Sequence, residues 1–133
     1  MEQKMFCYQC EQTMCGTGCT GMAGVCGKKF ATAGLQDKLT GTLIALAGQF
    51  AGKDVPEKVA TVLMEGLFTT ITNVNFNDAT LAEQIAKTGA AAQGTLAAYD
   101  MKKLWQHQDE DIRSLKSLIL FGLRGMAAYA YHA

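Results

Sequence analysis

All five cysteines of this 133-residue chain fall in one stretch, MFCYQCEQTMCGTGCTGMAGVCGKK, with Cys7 first and Cys26 last. That segment must fold around whatever the thiols hold, which constrains the chain more than any other feature. A chain of this length buries roughly two thirds of its unfolded surface and needs no covalent staples. Disulfides are rare in a reducing compartment, and an odd number of thiols cannot all pair, so metal binding is the better reading. Clustered thiols at short spacing suit soft or borderline cations, chiefly zinc or the irons of an iron–sulfur cluster.

Spacing separates these two in part. Structural zinc sites usually present two short-spaced cysteine pairs, often with histidine among the ligands. Here only Cys7 and Cys10 form such a pair; Cys15, Cys19 and Cys26 follow at uneven gaps, and His107 and His132 lie far downstream. An iron–sulfur cluster tolerates uneven gaps, because a loop can wrap it and deliver one thiolate per iron. Gly16, Gly18, Gly21, Gly24 and Gly27 suit such wrapping, since backbone without Cβ atoms bends through positive φ. Spacing thus favours iron–sulfur and leaves zinc open.

Charge narrows the partners. Twelve basic and twelve acidic residues cancel, so no long-range field favours nucleic acid or an anionic membrane. The opening MEQKMFCYQC has no apolar signal core, and the most apolar run, SLILFGLRGMAAYAYHA, is short for a span and interrupted by Arg124. These features predict a soluble, cytoplasmic chain that binds neither nucleic acid nor membrane.

The rest of the sequence reads as helix, with no strand-like alternation. Leu35, Leu39, Leu43, Leu46 and Phe50 recur at helical spacing. Asp54 and Glu57 around Pro56 mark a second start, followed by Val59, Val62, Leu63, Gly66, Leu67 and Ile71. The segment NVNFND breaks the pattern with turn-forming side chains. Thr80 with Glu83 predicts a third helix carrying Leu81, Ile85, Ala92, Leu96 and Tyr99, loosened by Gly89 and Gly94. A fourth runs from about Asp111, its stripe of Ile112, Leu115, Leu118, Ile119, Leu123 and Met126 assigned to the core. Gly122, Gly125, Ala127 and Ala128 make that helix small on one side, for close approach of another helix or for packing against the first two. The expected architecture is all-α: about four helices over residues 33–132 behind a cysteine-rich loop at 5–29, in a single domain.

MFCYQCEQT, GTGCT, GVCGK and LQDKL, and then FTTITNVNFND and LKSLILFGLRGMAAYAYHA, occur in the order and approximate separations of the amino-terminal region of hybrid-cluster proteins. The chain resembles that family, also called prismane proteins or hydroxylamine reductases, over most of its length. The resemblance implies an iron–sulfur cluster, 4Fe–4S or 2Fe–2S, on Cys7, Cys10, Cys19 and Cys26. The last gap exceeds by one that of 4Fe–4S members; 4Fe–4S is nonetheless the expected type. Cys15 is then a spare thiol near the cluster, or a substitute ligand for Cys19 or Cys26.

Two functions follow. In one, the chain is the electron-transfer part of a hydroxylamine or nitric oxide reductase, without the later domains whose cysteine, histidine and glutamate side chains hold the family's catalytic cluster. No cysteine follows Cys26, and His107 and His132 read as solvated or locally bonded, so no catalytic residue is expected here. Lys28 and Lys29 would offset the cluster's charge or dock an acidic donor, or simply face solvent. The partners implied are the later hybrid-cluster domains or a subunit carrying them, a redox donor protein, and a second copy in a homodimer. In the other function, the chain is a helical assembly module whose metal, iron–sulfur or zinc, only pins the amino terminus.

Overall fold

The computed structural model describes residues 4–10, 16–71 and 76–133. Among them the fold is all-α, with helices α1 (Phe30–Gln49), α2 (Glu57–Thr69), α3 (Asp78–Ala91), α4 (Lys102–Trp105) and α5 (Glu110–His132). Extended backbone is confined there to two isolated bridges in the cysteine-rich segment. None of the described helices is long and apolar enough to cross a membrane.

The first two predicted stripes form the core. Leu46 of α1 and Phe50 just beyond its end pack on Val59 and Val62 of α2, while Leu39 and Leu43 pack on Leu81 of α3. Thr32 Oγ1 donates to Asp78 Oδ1 at 2.6 Å and ties α1 to the start of α3. The helix starts differ in detail from expectation. Asn77, not Thr80, caps α3, its side chain accepting from the N–H groups of Ala79 and Thr80. Asp109 caps α5 in the same way, and α2 begins after Pro56 with no side-chain cap.

Two expectations fail. The third helix stops at Ala91, so Ala92, Leu96 and Tyr99 lie beyond it. Ala92 already leaves helical geometry with ψ 155°, Gly94 then turns the chain with φ 77°, and Gln49 holds the departing chain by paired hydrogen bonds to the Gln93 backbone. The non-helical return then crosses α1, where the Tyr99 N–H donates to the Gly41 carbonyl at 2.9 Å. A Cβ at Gly41 would collide with the Tyr99 carbonyl, so glycine is required at that crossing.

The second failure is the stripe of α5. Leu120, Arg124 and Ala127 face the bundle, whereas Ile112, Leu115, Leu118, Ile119, Leu123 and Met126 are exposed. Among the described helices the backbone of this helix runs close to α2 and α4 alone and reaches α1 through the Arg124 side chain, so one narrow face is covered. Arg124 sets which face: its Nε donates to Thr70 Oγ1 at 2.9 Å and its Nη2 to Thr40 Oγ1 at 3.0 Å, bonds available only with that side turned inward. Gly122 and Gly125 border open space rather than a neighbouring helix.

Candidate metal centre

The cysteine-rich segment is held by backbone pairing. Cys7 and Cys19 exchange two hydrogen bonds, N–H of Cys7 to the carbonyl of Cys19 at 3.0 Å and the reverse at 2.8 Å, and Met5 donates to the Gly21 carbonyl. Gly18 makes the approach feasible: it has φ 86°, and a Cβ there would sit 3.0 Å from the Cys7 carbonyl. Gly16 and Gly27 also take positive φ, as the wrapping argument expects, whereas Gly21 and Gly24 do not.

Cys7 is buried against Met5 and Ala33, with Cys19 packed beside it. Cys10 is half-buried, three residues along from Cys7. Cys26 is exposed, in a tight turn closed by the Ala23–Lys29 bridge and by the Gly24 N–H on the Lys28 carbonyl at 2.8 Å. The pairing therefore brings Cys7 and Cys19 together, and neither Cys10 nor Cys26 is brought into that contact. Among the described residues no three cysteine, histidine, aspartate or glutamate side chains converge as a metal site. Cys15 lies outside the described residues, as do Asn73, Val74 and Asn75 of the predicted turn.

Beside Cys7 sits a buried cation. Lys28 is 1% exposed, and its ammonium donates to Cys7 Sγ at 3.7 Å. Among the described residues it makes no ion pair with a carboxylate. A second buried cation, Arg124, and one carboxylate, Asp37, complete the surroundings. Asp37 Oδ1 accepts from Gln9 Nε2 at 3.1 Å and from Trp105 Nε1 at 3.2 Å, fixing the amino-terminal segment and α4 to α1. Burial pushes the Cys7 thiol above its ordinary pKa, and the charge of Lys28 opposes that rise. Burial likewise raises the Asp37 carboxyl against its hydrogen bonds and both cations, and lowers Arg124 to about 10.

This donor set fits a thiolate-bound metal group. Two buried cations share one half-buried carboxylate, and an uncompensated charge in a protein interior is costly, whereas a thiolate or anionic cluster at Cys7 would offset it. Of the two lysines, only Lys28 faces this site; Lys29 is exposed. His107 is locally bonded, its Nδ1 accepting from the Asp109 N–H at 3.1 Å, and His132 packs on Phe68 at the far end of α5. The Asp37–Gln9–Trp105 bonds and the Arg124 anchor escaped the sequence reading. Their one trace was Arg124, a charge inside the apolar stretch LFGLRGM; Asp37, between Gln36 and Lys38, left none.

The sequence model of the Prismane/CO dehydrogenase family matches residues 5–133. The chain belongs to the prismane/CO dehydrogenase family. It is 41% identical to a hydroxylamine reductase of Desulfovibrio desulfuricans, with 100% of this chain and 30% of that protein aligned. A hydroxylamine reductase of Porphyromonas gingivalis is 39% identical over the same shares, and one of Methanocella arvoryzae is 40% identical over 97% of this chain and 30% of its own length. This prismane-family chain thus spans about 30% of the length of these curated relatives.

Proposed function

We propose that Cys7, Cys10, Cys19 and Cys26 hold an iron–sulfur cluster, of the 4Fe–4S type, in a chain that serves as the electron-entry part of a hydroxylamine or nitric oxide reductase type protein. Lys28 carries this reading: a fully buried ammonium whose hydrogen bond goes to a cysteine sulfur calls for negative charge at that sulfur. Such a cluster supplies one-electron redox chemistry. The protein's own part is to place Cys7 and Cys19 side by side by backbone pairing, to bury the first, and to set positive charge against it.

Anaerobically purified chain should be brown, with about four acid-labile sulfides per chain for the larger cluster and about two for the smaller. Alanine at Cys7, Cys10, Cys19 or Cys26 should abolish or cripple its visible spectrum, and Cys15→Ala should preserve it. A colourless, zinc-loaded sample would reject the iron–sulfur reading. Since no thiolate follows Cys26, the chain should accept an electron without sustained ammonia formation from hydroxylamine.

One observation favours the assembly reading as well, and the two are compatible. The exposed apolar face of α5 suits a protein partner, which we assign to the remainder of a hydroxylamine reductase type chain. A metal without reversible one-electron chemistry would leave assembly as the whole function.

A further inference from the structure

Lys28 and Cys7 are a reactive pair as well as an electrostatic one. The Lys28 Nζ lies 3.7 Å from Cys7 Sγ, and the two residues are 1% and 7% exposed. Backbone holds both ends. Cys7 is hydrogen-bonded in both directions to Cys19, and the Lys28 carbonyl accepts from the Gly24 N–H in the turn closed by the Ala23–Lys29 bridge. When no metal is bound at Cys7, its sulfur is an oxidisable thiol with an amine fixed beside it. Oxidised cysteine sulfur is captured by thiols and also by nitrogen, and a positioned neighbour outcompetes a partner arriving from solution. Burial adds to that preference, because dioxygen is small enough to reach a site closed to a bulky thiol. Cys19 packs beside Cys7 too, but the hydrogen-bond contact of the Cys7 sulfur is to Lys28.

We propose that in the metal-free chain dioxygen joins Lys28 Nζ and Cys7 Sγ through one oxygen atom, an N–O–S bridge that withholds Cys7 from metal until thiols reduce it. One N–O and one O–S bond form. The ammonium gives up two hydrogens and the thiol its one; two of these leave with the second oxygen as water and the third as a proton. Nitrogen and sulfur each lose two electrons, and dioxygen takes all four. Four thiol groups of a reductant return the amine, the thiol and one water, and become two disulfides. An interposed oxygen asks the two buried atoms to approach less than a direct sulfur–nitrogen bond would, and a close-packed interior resists such movement. The withholding of Cys7 rests on the ligand assignment proposed above; the bridge itself does not.

Intact-mass spectrometry tests the bridge on the full chain, stripped of metal under argon and then held in air-saturated buffer. The chain should gain about 14 Da, which dithiothreitol removes and fragmentation maps to Cys7 and Lys28. Lys28→Arg keeps the cation and should gain no such mass, while Cys19→Ala should gain it in full. Exposure to air in denaturing urea should give at least about tenfold less product, because the two groups are then no longer positioned. No gain, a gain of about 16 or 32 Da on cysteine alone, or a loss of about 2 Da from a disulfide or a direct sulfur–nitrogen bond would overturn the bridge. So would equal yields in buffer and urea, or the same gain in Lys28→Arg. Bridged chain should take up neither iron with sulfide nor zinc until dithiothreitol is added, and uptake without it would overturn the withholding of Cys7. If reduced chain also takes up no metal, the ligand assignment fails while the mass gain still supports the bridge.

Discussion

Lys28 and Lys29 are adjacent and chemically identical, yet one is buried against Cys7 and the other faces water. The difference comes from the Ala23–Lys29 bridge and the Gly24–Lys28 hydrogen bond, because successive side chains on extended backbone point to opposite sides. Sequence offers no register for so short a pairing, so it named the right pair of lysines without choosing between them. The choice has opposite consequences in the metal-free and metal-loaded protein. Without a cluster, Lys28→Met removes an ammonium that has no carboxylate partner among the described residues, and the urea midpoint should rise. With a cluster, the same change removes positive charge beside a ligand, disfavours the more negative reduced state, and should lower the reduction potential by tens of millivolts. Direct electrochemistry on both proteins checks the second effect; an unchanged potential would mean that the Lys28 charge is not felt at the metal. The four thiols were legible as ligand candidates because cysteine clustering needs no knowledge of the fold. The network around Asp37 and Arg124 was not, since its partners Gln9, Trp105, Thr40 and Thr70 come from four separate places along the chain.

Among the elements, α2 was legible because it has one apolar side and that side is covered, and α1 because its leucine stripe is buried, although Thr32, Gln36, Thr40 and Thr42 are buried with it. The third helix was drawn too long because Ala92, Leu96 and Tyr99 keep a helical spacing by coincidence while serving a different end. Leu96 packs on the Leu46–Phe50–Val59–Val62 cluster, and Tyr99 on the cluster of Met101, Leu104, Trp105 and Leu120, from a non-helical return. Burial, not periodicity, links them to the core. α4 spans only Lys102–Trp105, too short to leave a periodic trace. The crossing of that return over α1 is the tightest contact between elements and can be tested at Gly41. Gly41→Ala improves helix propensity by about 1 kcal/mol, yet its Cβ would meet the Tyr99 carbonyl, and backbone cannot move aside as cheaply as a side chain. The clash should win, with a net loss of about 1–3 kcal/mol by denaturant unfolding. A neutral or stabilising result would show that the return does not lie against α1 in solution.

At the scale of the whole molecule, the unmatched feature is α5, which is apolar on more sides than its neighbours cover. Periodicity finds that such a helix has an apolar stripe but cannot say which of several stripes the bundle takes, and here a buried arginine outweighed six large apolar side chains. The exposed set includes Ile112, Leu115, Ile119, Met126 and Tyr129, spaced by alternating threes and fours with Gly122 at the one missing position. That is the seam spacing of a helix which packs lengthwise on another, and a contiguous patch of this kind marks an interaction surface. The hydroxylamine reductases aligned here run to more than three times this chain's length, and the further chain they carry is the partner proposed above for this face. Left uncovered, the face should drive self-association at raised concentration. Ile119→Lys combined with Met126→Lys should abolish concentration-dependent association in sedimentation experiments. Because both side chains are exposed in the monomer, helix content should be unchanged and monomer stability within about 0.5 kcal/mol per site. If the double variant instead unfolds, those two residues belong to the core, as the periodic stripe alone suggested, and Arg124 does not set the orientation of α5.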